Sequence, residues 1–105
     1  MDKPKRIVNT TLLQSMRWMA CVVCGRTPCE ASHIRSRGSG GPDTSWNVVP
    51  KCRACHREWH ASGVTAFLRA HPKVAQLLIK MGWELVQMPG PDGLLKLRHP
   101  SEAST

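Results

Sequence analysis

The spacing of apolar positions divides the chain into short elements. Leu12, Leu13, Met16 and Met19 share one side of a helix that Thr10 and Thr11 can cap. Residues 31–35 and 46–50 read as two short strands, the second closed by Pro50. Between them, Ser36-Arg37-Gly38-Ser39-Gly40-Gly41-Pro42-Asp43 is a Gly-rich loop without regular structure. A helix is predicted over 53–61, stopped by Ser62 and Gly63. Another spans 64–70 and ends at His71-Pro72, because the residue before a proline avoids helical geometry. A third covers 73–81, with Val74, Leu77, Leu78 and Met81 at helical spacing and Gly82 as its stop. Segments 83–87 and 94–98 flank Pro89-Gly90-Pro91-Asp92-Gly93, which is a hairpin signal. Residues 1–9 read as a flexible basic arm and 101–105 as a tail. The pattern predicts a small α+β domain over 10–100.

Composition narrows the classes. A chain of 105 residues has room for one core of useful size. It holds no run of apolar residues long enough for a spanning helix, so no membrane association is expected. The charged start, Met1-Asp2-Lys3-Pro4-Lys5-Arg6, is not followed by an apolar stretch, so no secretory signal is expected and the expected location is cytoplasmic. Fifteen Lys and Arg against seven Asp and Glu give a net charge of +8 and a pI near 9.9, the balance of a domain that meets a polyanion. Four Trp and one Phe are too few for a platform that stacks single-stranded bases, and Trp18, Trp46, Trp59 and Trp83 are expected to build the core.

Cysteine spacing supplies the first chemistry. Cys21-Val-Val-Cys24 and Cys52-Arg-Ala-Cys55 are two C-x-x-C pairs, the donor set of a structural zinc held by four thiolates. Gly25 after Cys24 allows the tight turn that aims backbone N–H groups at sulfur. An odd count of five argues against a disulfide framework, and Cys29 reads as a spare buried thiol. A metal crosslink also replaces core that so small a chain lacks.

Four polar residues lie within this frame: His33, Asn47, His56 and His60. His56 and His60 are four apart on the predicted helix, so both imidazoles leave one face, a chelating geometry. The ordered set CVVCG, SHI with a GSGG loop, NVVPKCRACH and a further His60 resembles the HNH endonucleases, also called His-Me finger or ββα-metal nucleases, over about 40 residues. The resemblance implies a zinc-stabilised treble-clef ββα-metal core over about 21–61, extending loosely to the flanking helices, and a bacterial or phage source; the C-terminal hairpin is read from the turn pattern alone.

It also implies roles. His33 matches the general base that draws a proton from water. Asn47 matches the Asn that pins the loop and orients that base. His56, with His60, matches the site of a divalent ion (Mg, Mn, Ni or Zn) that polarises the scissile phosphate and stabilises the leaving 3′ oxygen. The implied activity is hydrolysis of phosphodiester bonds, in duplex DNA first. Arg35, Arg37, Lys51, Arg53 and Arg57 cluster around this frame as candidate phosphate contacts. One position departs from the family pattern. Many members place Asp or His directly before the base, where this chain has Ser32, a poor ligand; Asp43 across the loop is a candidate replacement. A non-catalytic zinc module binding DNA or RNA is the second reading, and a zinc-stabilised protein-interaction module the third. Neither explains why His33, Asn47, His56 and His60 occur together.

Overall fold

The computed structural model describes residues 6–104, which divide into two compact units, one ending at Arg57 and the other beginning at Glu58. The domain expected over 10–100 spans both. The fold is α+β, as the pattern predicts.

The first unit opens with α1 (Thr10–Ser15). Asn9, rather than Thr10 or Thr11, caps it: the Asn9 side chain accepts from the Leu12 N–H at 3.0 Å. The helix then tightens into a 3-10 turn over Met16–Trp18. That change of pitch takes Met19 off the predicted apolar face. Met16 is buried, whereas Met19 is 44% and Trp18 74% exposed, so Trp18 is not a core residue.

Strands β1 (Glu30–His33) and β2 (Val48–Lys51) pair antiparallel, with Glu30 opposite Lys51 and His33 opposite Val48. The first ends two residues before the predicted limit, and the second starts two residues after it. The cause is Asn47, whose side chain takes both backbone groups of Arg35 and turns the strand ends into a loop. Within that loop a 3-10 turn covers Arg37–Ser39, and the Gly41 N–H donates to the Ser36 carbonyl at 2.8 Å. A Cβ at Gly41 would collide with the Arg35 carbonyl, so the close return of the chain requires glycine there. Helix α2 (Arg53–Ser62) starts directly after Cys52.

Residues 6–9, inside the arm expected over 1–9, are held in place; 1–5 lie outside the described residues. Arg6 donates to the Gly41 carbonyl at 3.1 Å, and the Asp43 N–H donates to the Ile7 carbonyl at 2.9 Å.

The second unit contains the end of α2, then α3 (Val64–Ala70), α4 (Pro72–Lys80), and a hairpin of β3 (Glu84–Gln87) and β4 (Leu95–Arg98). Pro72 opens α4, where its fixed φ suits the first turn and its missing N–H costs nothing. The buried set is Trp59, Phe67, Leu68, Val74, Leu78, Trp83 and Leu97. Trp59 meets Phe67 edge-on at 5.2 Å between ring centres. A 3-10 turn over Pro100–Ser104 takes in most of the tail expected over 101–105, tied by the His99 N–H donating to the Glu102 carboxylate at 3.1 Å. No helix among the described residues is long and apolar enough to cross a membrane.

Candidate functional site

The sulfurs of Cys21, Cys24, Cys52 and Cys55 all lie within 4.8 Å of one another, positioned to bind a metal ion. Cys24 and Cys52 stand 3.6 Å apart, close to the ~3.8 Å edge of a tetrahedron with Zn–S bonds of about 2.3 Å. The first pair sits on a turn whose Gly25 N–H donates to the Cys21 carbonyl at 2.9 Å, with Gly25 at φ +77°. The Val23 N–H approaches the Cys21 sulfur at 3.4 Å. Burial disfavours the Cys21 thiolate, but backbone contacts from Cys24, Cys52 and Val23 outweigh it and bring the thiol down to about 6. Burial, with contacts to the other three cysteines, pushes Cys55 up. Four crowded sulfur donors of this kind fit a divalent zinc, which removes their mutual repulsion. Cys29 is buried beside the quartet and gives its thiol to the Arg26 carbonyl at 3.2 Å, outside the donor set.

Asn47 is wholly buried ahead of β2. Its Oδ1 accepts from the Arg35 N–H at 2.7 Å, and its Nδ2 donates to the carbonyls of Pro42 at 2.9 Å and Arg35 at 3.1 Å. One amide thereby ties together the end of β1 and the far end of the Gly-rich loop. His33 closes β1, with Nε2 2.7 Å from Asp43 Oδ1. Asp43 is itself buried, and also accepts from Arg6 at 2.7 Å and from the Asn9 N–H at 2.9 Å. Burial works against its charge, but His33, Asn9 and Arg6 prevail and hold the carboxyl well below the usual range. A carboxylate so occupied is not a replacement ligand for position 32.

Ser32 and His33 are consecutive on β1, so their side chains leave opposite faces of the hairpin. Ser32 is wholly buried and accepts from the Lys51 ammonium at 2.9 Å. This corrects the expectation for Lys51. Its side chain has no exposed surface and is out of reach of a phosphate. Burial draws the ammonium down to about 8, while the thiolates of Cys21 and Cys55 pull it back up.

On α2, His56 presents Nδ1 to Glu30 Oε1 at 3.0 Å, and His60 stands exposed one turn further along. Cys52 and Cys55 lie at the start of this helix, so His56 follows directly on the thiol quartet. Among the described residues, the thiol quartet is the one group of three or more His, Cys, Asp or Glu that converges within 4.8 Å.

Residues 21–62 match the HNH endonuclease family. No curated protein and no solved structure matches the chain. The HNH segment runs from the first knuckle to the end of α2 and so contains the quartet, His33, Asn47, His56 and His60. Of the basic residues expected to line it, Arg37, Arg53 and Arg57 are exposed and Arg35 is half-buried. Arg53 lines an open groove together with Gln14, Arg17 and Glu30.

Two site residues, Glu30 and Arg6, are not among the candidates that the sequence supplies. Glu30, which holds His56, precedes the predicted strand. Asp43 carries a signal, as an acid ending a Gly-rich loop and a candidate metal ligand, and in the structure it meets His33. Arg6 carries none. His71 and His99 have structural partners: His71 Nε2 meets Glu58 Oε2 at 2.7 Å, and His99 Nε2 donates to the Met81 carbonyl at 2.8 Å.

Proposed function

We propose that the HNH segment is a metal-dependent nuclease hydrolysing phosphodiester bonds in DNA, with duplex DNA as first substrate. The observation that carries this reading is the placing of His33 at the end of a strand whose adjoining loop is pinned by the buried Asn47 amide. In the reaction, His33 takes a proton from water as the oxygen bonds to phosphorus. The P–O3′ bond breaks, and the departing oxygen takes up a proton from solvent. His56 and His60 are the residues that would hold a divalent ion, with His56 oriented through Glu30. Such an ion supplies positive charge against the phosphate oxygens. Arg35, Arg37, Arg53 and Arg57 bind the neighbouring phosphates and supply no base readout.

A second reading, a zinc module that binds nucleic acid without cutting it, is favoured by the occupation of Ser32 by Lys51 and by the thinness of the ligand set at His56. Nicking of supercoiled plasmid by zinc-loaded protein, with Mg, Mn, Ni or Zn added in turn, separates the two. Cutting is expected with at least one ion, and His33→Ala should lose roughly 10²- to 10⁴-fold. Equal cutting by wild type and His33→Ala would remove His33 from the chemistry.

A further inference from the structure

Asp43 ends the Gly-rich loop in a buried position and receives three donors. The Arg6 guanidinium and the His33 ring both reach Oδ1 at 2.7 Å, and the Asn9 N–H reaches Oδ2 at 2.9 Å. A return bond from the Asp43 N–H to the Ile7 carbonyl at 2.9 Å fixes its backbone against the same segment. We propose that Asp43 is a positioning residue that holds His33 with the proton on Nε2 and the lone pair on Nδ1, and that residues 6–9 lock Asp43 for this purpose.

The argument is one of hydrogen-bond capacity. A buried carboxylate facing an arginine and a backbone N–H stays ionised, and an ionised carboxylate can only accept. The shared proton therefore belongs to the imidazole, on Nε2. A neutral imidazole carries one N–H, so Nδ1 is left as the atom that can take a proton from water. Arg6 already balances the carboxylate charge, so what His33 gains from Asp43 is a fixed ring direction. Its backbone is fixed independently, by pairing opposite Val48. Asn47 sets the loop from the other side, by binding the Pro42 carbonyl one residue before Asp43. The N-terminal segment thus becomes part of the candidate centre although it lies outside residues 21–62.

This inference rests on the reading of His33 as the base, and the test separates the two. Imidazole ¹⁵N–¹H spectra of the zinc-loaded wild type should show His33 protonated at Nε2, with a slowly exchanging, downfield Hε2. Asp43→Asn should lose that signal while retaining one zinc per chain. In plasmid nicking, Asp43→Asn should lower kcat by roughly 10²-fold and leave KM within about threefold. Arg6→Gln, which keeps the carboxylate but removes one restraint, should lower kcat by roughly tenfold. A wild-type His33 protonated at Nδ1, an unchanged His33 spectrum in Asp43→Asn, or a loss confined to KM would overturn the proposal. If Asp43→Asn does not fold, the wild-type spectrum and Arg6→Gln decide. If the wild type cuts nothing, the nuclease reading fails, whereas the spectra still decide whether Asp43 holds the ring.

Discussion

Asn47 shows most clearly how one side chain sets the geometry of the candidate site. Its carbonyl oxygen faces an N–H and its amino group faces two carbonyls, so the position needs both halves of a carboxamide. Asn47→Ala leaves those backbone groups without their partner in a dry environment. Asn47→Asp puts a second acceptor against two carbonyls and is expected to be the worse substitution despite its closer shape. Each buried group left unsatisfied costs about 1–3 kcal/mol, so Asn47→Ala should destabilise by about 2–4 kcal/mol and Asn47→Asp by at least as much. Denaturant titration of the zinc-loaded variants measures this; an Asp variant as stable as wild type would contradict the assigned amide orientation. Gly41→Ala belongs to the same loop. Its methyl group would press on the Arg35 carbonyl that Asn47 holds. It should displace the loop and, with it, Arg6 on the Gly41 carbonyl and Asp43 two residues on, so loss of loop geometry and loss of the His33 restraint are expected together.

At the scale of elements, the thiol quartet draws together segments from three separate parts of the first unit. Cys21 and Cys24 belong to a turn after α1, Cys52 to the single residue between β2 and α2, and Cys55 to the first turn of α2. The first turn is further tied to β2 by the Val22 N–H donating to the Pro50 carbonyl at 3.0 Å. Structural zinc supplies about 10–16 kcal/mol in small domains, comparable to a whole domain's stability of about 5–15 kcal/mol. Chelation, or Cys52→Ser, is therefore expected to unfold the first unit. The second unit buries Phe67, Leu78 and Trp83 without any cysteine. Amide exchange should accordingly lose protection over 21–56 while 64–98 keeps most of its own. Equal loss in both stretches would show that the second core does not stand without the first.

The elements that the sequence revealed are those decided locally. Helix α3 occupies the predicted 64–70, and α4 and the hairpin fall within a residue of their predicted limits, because Pro72, Gly82 and the Pro/Gly turn act on their own neighbours. The two cysteine pairs were legible because the spacing within each is local; that they meet is a long-range fact, read only because four thiols together suit one metal ion. What was not legible depends on distant partners. Nothing near Lys51 in sequence announces that it will lie buried against Ser32, nor does Arg6 announce a partner 37 residues away. Trp18 looks like core by type, but the 3-10 turn directs it outward, with the Arg17 guanidinium 5.1 Å from its ring centre.

For the whole molecule the governing quantity is charge. The chain carries +8, but the contribution of each cation to nucleic-acid binding depends on whether it can reach a phosphate. Each exposed arginine that contacts one releases condensed counterions, and the logarithm of affinity falls with the logarithm of salt by about 0.9 per contact. Arg37, Arg53 and Arg57 are exposed around the HNH segment and are expected to contribute in this way. Lys51 is expected not to, because its ammonium is buried and donates to Ser32. The two classes separate in one experiment. Arg37→Ala and Arg57→Ala should each flatten the salt slope by about one, uniformly across DNA sequences. Lys51→Met should leave the slope of the folded, zinc-loaded protein unchanged, whatever it does to stability. Titration of labelled duplex DNA from low to moderate salt reads both. A flatter slope in Lys51→Met would mean that its ammonium reaches solvent when DNA binds. The opposite failure, arginine variants with the wild-type slope, would mean that DNA approaches another face and that proximity to the HNH frame in sequence was misleading.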